Sequence, residues 1–118
     1  MLLNYYHTNK EAINDIGGLK NVERGTIDIN KVSPTEKMNL SSDRGQAVLD
    51  EIKSGIRVPL VLDDFGNGLE IIDGNHRYLA YKSLGISDIP VIAPKGSEIN
   101  VKTKSQLISE WNKAQKLK

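Results

Sequence analysis

The chain has 118 residues, 16 Lys+Arg against 15 Asp+Glu, a formal net charge of +1 and 38% hydrophobic residues. This length suits one domain spanning residues 1–118, and the balanced charge excludes both a polybasic scaffold and an acidic disordered chain while leaving a local basic face open. There is no cysteine, which excludes a disulfide framework, a Cys-based zinc site and a thiol nucleophile, and suits a reducing compartment. No run approaches the roughly 18–20 apolar residues that span a bilayer. The stretch Met1-Leu2-Leu3-Asn4-Tyr5-Tyr6-His7 carries neither a basic leader nor a long apolar run, so no secretory signal is read. A cytoplasmic protein without a membrane partner is expected.

In chain order, Thr8 and Glu11 have capping-box spacing. Ala12, Ile13 and Ile16 then form one helical face that Gly17-Gly18 ends. Residues 25–30 alternate, with Ile27 and Ile29 on one side, and predict a half-buried strand. Val32-Ser33-Pro34-Thr35-Glu36 reads as a loop, since Pro34 holds Ser33 extended. A second helix is predicted from Ser42 or Asp43, with Ala47, Val48 and Ile52 on its apolar face and Gly55 beyond its end. Val58-Pro59-Leu60-Val61-Leu62 predicts a strand, with Pro59 at an edge or at the beginning because it donates no ladder hydrogen bond. The cluster 63–68 predicts a turn, and Leu69 to Asp73 a further strand, the two strands forming a hairpin. A helix follows from Asn75 to Gly85, with Leu79, Ala80, Ser83 and Leu84 as its apolar face. Ile89-Pro90-Val91-Ile92-Ala93 completes a strand–helix–strand order, expected as a right-handed βαβ unit. Thr103 and Gln106 have capping-box spacing before Leu107, Ile108, Trp111 and Ala114, which predict a C-terminal amphipathic helix with Trp111 in the core. The fold class expected is α/β (α+β), a small mixed sheet with packed helices.

Chemistry concentrates at Asp73-Gly74-Asn75-His76-Arg77, where an apolar strand runs into a helix. A helix start leaves its first backbone N–H groups without partners and carries the positive end of the dipole. Gly74 permits close approach, and His76 and Arg77 add side-chain donors at the same place. Three independent devices for binding an anion coincide, which points to phosphate. A carboxylate at Asp73 would repel a polyanion unless a divalent cation bridges them or a hydroxyl gives it a proton. Phosphoryl transfer or hydrolysis is therefore expected rather than passive phosphate binding.

From these residues outward, the chain resembles the ParB/sulfiredoxin superfamily. The Gly-x-x-Arg helix start, the glycine that ends the helix and the following Ile89-Pro90-Val91 fit its pattern, and the resemblance covers about residues 26–93, with helical extensions on either side. Asn75 stands where sulfiredoxin carries its cysteine, so sulfinic-acid reduction is excluded. ParB proteins, which hydrolyse CTP and act on DNA, usually carry Gly-Glu-Arg-Arg here. The free serine kinases carry Asp-Gly-His-His-Arg, which this chain matches at four of five positions, and their Pro-x-Glu loop resembles Pro34-Thr35-Glu36. The resemblance implies Glu36, Asp73 and His76 as catalytic residues. It implies Gly74, Asn75, His76 and Arg77 as nucleotide-phosphate contacts, with Mg2+ held by Asp73 and Glu36. ATP, ADP or CTP is the implied nucleotide. Two other readings are a DNA-binding protein or small nuclease of the same fold, suited to a phage, plasmid or toxin setting, and a catalytically inactive regulatory module.

Other features read as structural. Lys102, Lys104, Lys113, Lys116 and Lys118 complement a helix C-terminus more simply than they track a nucleic acid. Asp63-Asp64 suits a turn more than a metal site. His7 is a surface residue, and Tyr78 and Tyr81 are expected to be half-buried.

Overall fold

A computed structural model describes residues 10–103 together with 105, 106 and 109. The elements in chain order are α1 (Lys10–Asp15), β1 (Val22–Asp28), β2 (Val32–Ser33), α2 (Asp43–Lys53), β3 (Leu60–Asp64), β4 (Leu69–Asp73), α3 (Asn75–Ser83), β5 (Asp88–Pro94) and β6 (Asn100–Val101). The strands form a six-stranded sheet in the order β2-β4-β3-β5-β1-β6. Pairing is mixed: β2 with β4 and β3 with β5 are parallel, whereas β3 with β4, β1 with β5 and β1 with β6 are antiparallel. This is the small mixed sheet with packed helices expected from the sequence.

Alternation along the central strands separates two apolar faces. Leu60, Leu62, Ile71, Ile89, Val91 and Ala93 share a buried cluster with Val48 and Ile52 of α2 and Ala80 and Tyr81 of α3. Val61 and Ile92 face the other way and meet Ala12 and Ile13 of α1. Each buried Val, Leu or Ile side chain contributes about 1.5–3 kcal/mol, so the strands joining α3 to the sheet are the best-anchored part of the chain. Gly18 N–H donates to the Ile13 carbonyl at 2.9 Å, ending α1 at the predicted glycine pair.

Several expectations need correction. β1 begins at Val22 and ends at Asp28, so Ile29 leaves the strand for a 3-10 turn over Ile29–Lys31. The Asp28 carboxylate accepts from Asn30 N–H at 2.9 Å and diverts the chain there, while Ile29 stays buried. Val32 and Ser33 are not loop but a two-residue parallel strand opposite Leu69 and Glu70. Pro34, with no N–H, follows directly. β3 starts after Pro59 and runs on to Asp64, leaving a shorter turn than the cluster 63–68 suggests. The Asp64 carboxylate accepts from Gly66 N–H at 2.8 Å, a turn-forming bond.

β4, α3 and β5 do not form a parallel βαβ unit. β4 is antiparallel to β3 and β3 is parallel to β5, so the crossover joins β3 to β5 through the hairpin and α3 together. Ala47 is exposed, and α2 buries Gly45, Val48 and Ile52. In α3 the buried residues are Asn75, Arg77, Ala80 and Tyr81, with Ser83 exposed. Tyr81 is fully buried, not half-buried, and its hydroxyl donates to the Val58 carbonyl at 3.0 Å. Burial pushes the Tyr81 hydroxyl pKa up, keeping the proton that makes this bond. Thr103 and Gln106 form the expected capping box, with N–H bonds of 2.8 and 3.2 Å to the opposite side chains. Thr8, Leu107, Ile108, Trp111 and Ala114 lie outside the described residues, as does His7. Among the described residues no helix is long and apolar enough to cross a membrane.

The placement of α2 depends on a missing side chain. A Cβ on Gly45 would lie 2.5 Å from the Asn39 carbonyl oxygen and 2.6 Å from Leu40 Cα, both backbone atoms that cannot swing away. Gly45→Ala therefore destabilises the protein by about 1–3 kcal/mol in chemical denaturation through overpacking. That outcome opposes the gain of about 1 kcal/mol that helix propensity alone would give.

Candidate functional site

Gly74 makes the corner between β4 and α3. Its φ of +113° is a left-handed conformation, and a Cβ there would lie 3.0 Å from Leu60 Cγ and 3.3 Å from Leu60 Cα. Backbone angle and space both require glycine. Just before the corner, the β3–β4 register shifts between Val61, which pairs with Asp73, and Leu62, which pairs with Ile71. Such a shift re-aims the end of a strand, and Asp73 sits on it, half-buried.

Among the described residues no side chain caps the start of α3, so its first-turn N–H groups have neither an intrahelical acceptor nor a capping oxygen there. With nine residues in this helix, the dipole adds positive character at the same end.

Arg77 lies one turn into α3 and is only 5% exposed. Among the described residues its buried Nε has no hydrogen-bond partner, and its Nη2 lies 4.0 Å from Glu51 Oε2 on α2, at the outer limit of an ion pair. Burial lowers the Arg77 pKa, and Arg44 lowers it further, while Glu51 and Asp73 act in the opposite direction. The guanidinium nonetheless stays charged. A buried donor without an acceptor costs about 1–3 kcal/mol, and more on a charged group. An anion supplying an oxygen to Nε would remove that cost.

Asn75 is buried, and its side chain turns to the Pro34-Thr35-Glu36 loop. Its Oδ1 accepts from Thr35 N–H at 3.0 Å and from Glu36 N–H at 3.3 Å, and its Nδ2 donates to Thr35 Oγ1 at 3.2 Å. Thr35 Oγ1 in turn donates to the Ile71 carbonyl at 2.7 Å. The structure thus brings Glu36 to the corner through its backbone, 39 residues away in sequence. The Glu36 side chain is exposed, and His76 is half-buried. Among the described residues no group of three or more His, Cys, Asp or Glu side chains could hold a metal. Asp73 ends β4 and Glu36 lies in the loop bonded to Asn75, so a carboxylate stands in the chain on either side of this corner, and Mg2+ is ordinarily held by one or two carboxylates with phosphate oxygens and water.

Sequence reading missed Thr35 as a link and Glu51 as the arginine's neighbour. Glu51 had a signal: it flanks the apolar stripe of Val48 and Ile52, at the border between the buried face and solvent where a side chain can reach a neighbouring helix. Lys104, Lys113, Lys116 and Lys118 lie outside the described residues. A cavity of about 530 Å3 opens beside β1 and β6, bordered by Lys20, Arg24, Lys95 and Lys102, and none of the corner residues lines it.

Comparison with protein-family models gives no match, and comparison with curated proteins gives none either. Solved structures do match. A free serine kinase variant in complex with AMP superposes with a TM-score of 0.54 at 22% identity, covering 64% of this chain and 32% of the kinase chain. Sulfiredoxin from Arabidopsis thaliana gives 0.50 at 20% identity, covering 75% of this chain and 96% of its own. The C-terminally truncated chromosome-partitioning protein ParB from Caulobacter crescentus, complexed with CTP-γ-S, gives 0.50 at 10% identity, over 75% of this chain and 49% of ParB. The chain has the ParB/sulfiredoxin fold, and it spans about a third of the length of the kinase chain it matches.

A buried, incompletely partnered charge opposes folding, and hydrophobic replacement of such groups is often stabilising. Arg77→Met raises the melting temperature of the ligand-free protein or leaves it unchanged, since Glu51 is 41% exposed and keeps its solvent. A drop of several degrees would mean that the arginine supports the fold.

Proposed function

We propose that this chain binds a nucleotide by its phosphates at the start of α3 and acts on it by phosphoryl transfer or hydrolysis with Mg2+. The observation that carries the reading is Arg77, a buried guanidinium whose Nε has no partner among the described residues, in the first turn of a helix whose uncapped start is made by a left-handed glycine. The matched kinase and ParB structures were solved with AMP and CTP-γ-S, which supports a nucleotide as the phosphate source. ATP, ADP and CTP are the candidates.

In this reading the backbone N–H groups of the first turn, the Arg77 guanidinium and the His76 ring hold phosphate oxygens. Asp73 and Glu36 would hold Mg2+, which would supply positive charge against the phosphate oxygens. Glu36 also takes the proton from the attacking hydroxyl of water or an acceptor. As the new O–P bond forms, the P–O bond to the leaving phosphate breaks, and the leaving group keeps that electron pair. Arg77 and the helix dipole stabilise the charge that develops there.

A thermal-shift panel of ATP, ADP, CTP, GTP and a short DNA duplex, each with and without Mg2+, tests the reading. A nucleotide at about 100 times its Kd stabilises by roughly 2.7 kcal/mol, a shift of several degrees at this size. The shift is expected with a nucleotide, to depend on Mg2+, and to vanish in Arg77→Ala. Glu36→Ala and Asp73→Asn are expected to lose turnover while still melting cooperatively. A flat nucleotide panel overturns the reading, and a shift with DNA alone replaces it by a DNA-directed one.

A further inference from the structure

The side chain of Asn75 belongs to two places at once. Asn75 is the first residue of α3, so its backbone N–H lies in the anion-binding turn, while its amide is engaged in the loop that carries Glu36. Two consecutive N–H groups, of Thr35 and Glu36, converge on Oδ1, while Nδ2 reaches Thr35 Oγ1. The two donors on one atom identify it as the oxygen, since a nitrogen there could not accept. Thr35 Oγ1 passes the connection to the Ile71 carbonyl in β4. The loop leaves the sheet edge after Ser33, and Pro34 has no N–H to give back to it. Among the described residues, this Asn75–Thr35–Ile71 linkage supplies every side-chain hydrogen bond of residues 34–36.

We propose that Asn75 is a positioning residue whose side chain is a strut, fixing Glu36 against the anion-binding turn and coupling the order of the 34–36 loop to occupancy of that turn. An anion drawn onto the first-turn N–H groups holds the Asn75 backbone, and the same residue then holds the Thr35 and Glu36 amides. Aspartate could not replace it, because a carboxylate has no donor for Thr35 Oγ1 and would repel the anion. The coupling rests on the phosphate reading above; the strut does not.

Amide hydrogen exchange at Thr35 and Glu36 separates the two, using the full chain with ADP and Mg2+ as the probe. In ligand-free protein, Asn75→Ala and Thr35→Val are expected to exchange about tenfold faster at these amides than wild type, with Thr35→Ser restoring protection. Equal exchange in wild type and Asn75→Ala would overturn the strut, whatever binds. With the probe, wild type is expected to slow further at both amides. Thr35→Val should lose that slowing while still binding ADP, with a Kd raised by no more than the factor by which the probe slows exchange in wild type, as it removes no phosphate contact. Probe binding without added protection in wild type, or with it retained in Thr35→Val, would overturn the coupling. If wild type binds none of the nucleotides, the phosphate reading and the coupling fail together, and the ligand-free comparison still decides the strut.

Discussion

A guanidinium held away from water with one donor unanswered is the constraint around which this structure is arranged. Arg77 has five N–H donors in a rigid fork, yet it is buried, with a 4.0 Å approach to Glu51 and a buried Nε that no oxygen of the described residues meets. The fold has the means to do otherwise: Asn75 and Tyr81, in the same helix, both have side-chain hydrogen bonds of 3.0 Å. The charge is tolerated because the surrounding apolar contacts outweigh it. Leu60, Ile71, Ala80, Tyr81 and Val91 share one buried cluster beneath the helix. In the proposed reading, stability supplied by the core holds this charge ready for an anion.

The sheet then explains why the corner before α3 lies where it does. β3 is flanked on both sides by strands of the sheet, and Leu60 at its start leaves no room for a Cβ at position 74. Glycine, in a left-handed conformation, turns β4 directly into α3 without a capping side chain. The two-residue strand β2 brings the 34–36 loop to the end of β4. Asn75 fastens the loop there. The backbone of Glu36, from a distant part of the chain, reaches the start of α3 through one short parallel pairing and one amide side chain.

Much of this was legible in sequence, and the exceptions have physical causes. The β4–α3 corner shows because glycine, the apolar strand and the donors occur consecutively, and the ends of α2 show because Ser42 and Gly55 mark them. Pairing between distant segments was not legible: nothing in Val32-Ser33 alone distinguishes a two-residue strand from a loop, and the antiparallel sense of β4 and β5 depends on β3 lying between them. Burial of polar residues was equally hidden. Arg77 and Asn75 read as surface ligands from their chemistry, whereas packing of α3 on the sheet takes both inside. Tyr81 follows the same logic, since a fully buried tyrosine requires the Val58 carbonyl, which periodicity cannot reveal.

The most direct test of the central claim follows the Arg77 side chain itself, through its Nε–Hε signal in nitrogen-15 NMR during titration with ADP and Mg2+. The account predicts a saturable shift of that one signal and slower solvent exchange of its proton, as a phosphate oxygen accepts from the previously unpartnered Nε. A nucleotide that binds, as seen by shifts elsewhere in the chain, while the Arg77 Nε–Hε signal stays in place would contradict it.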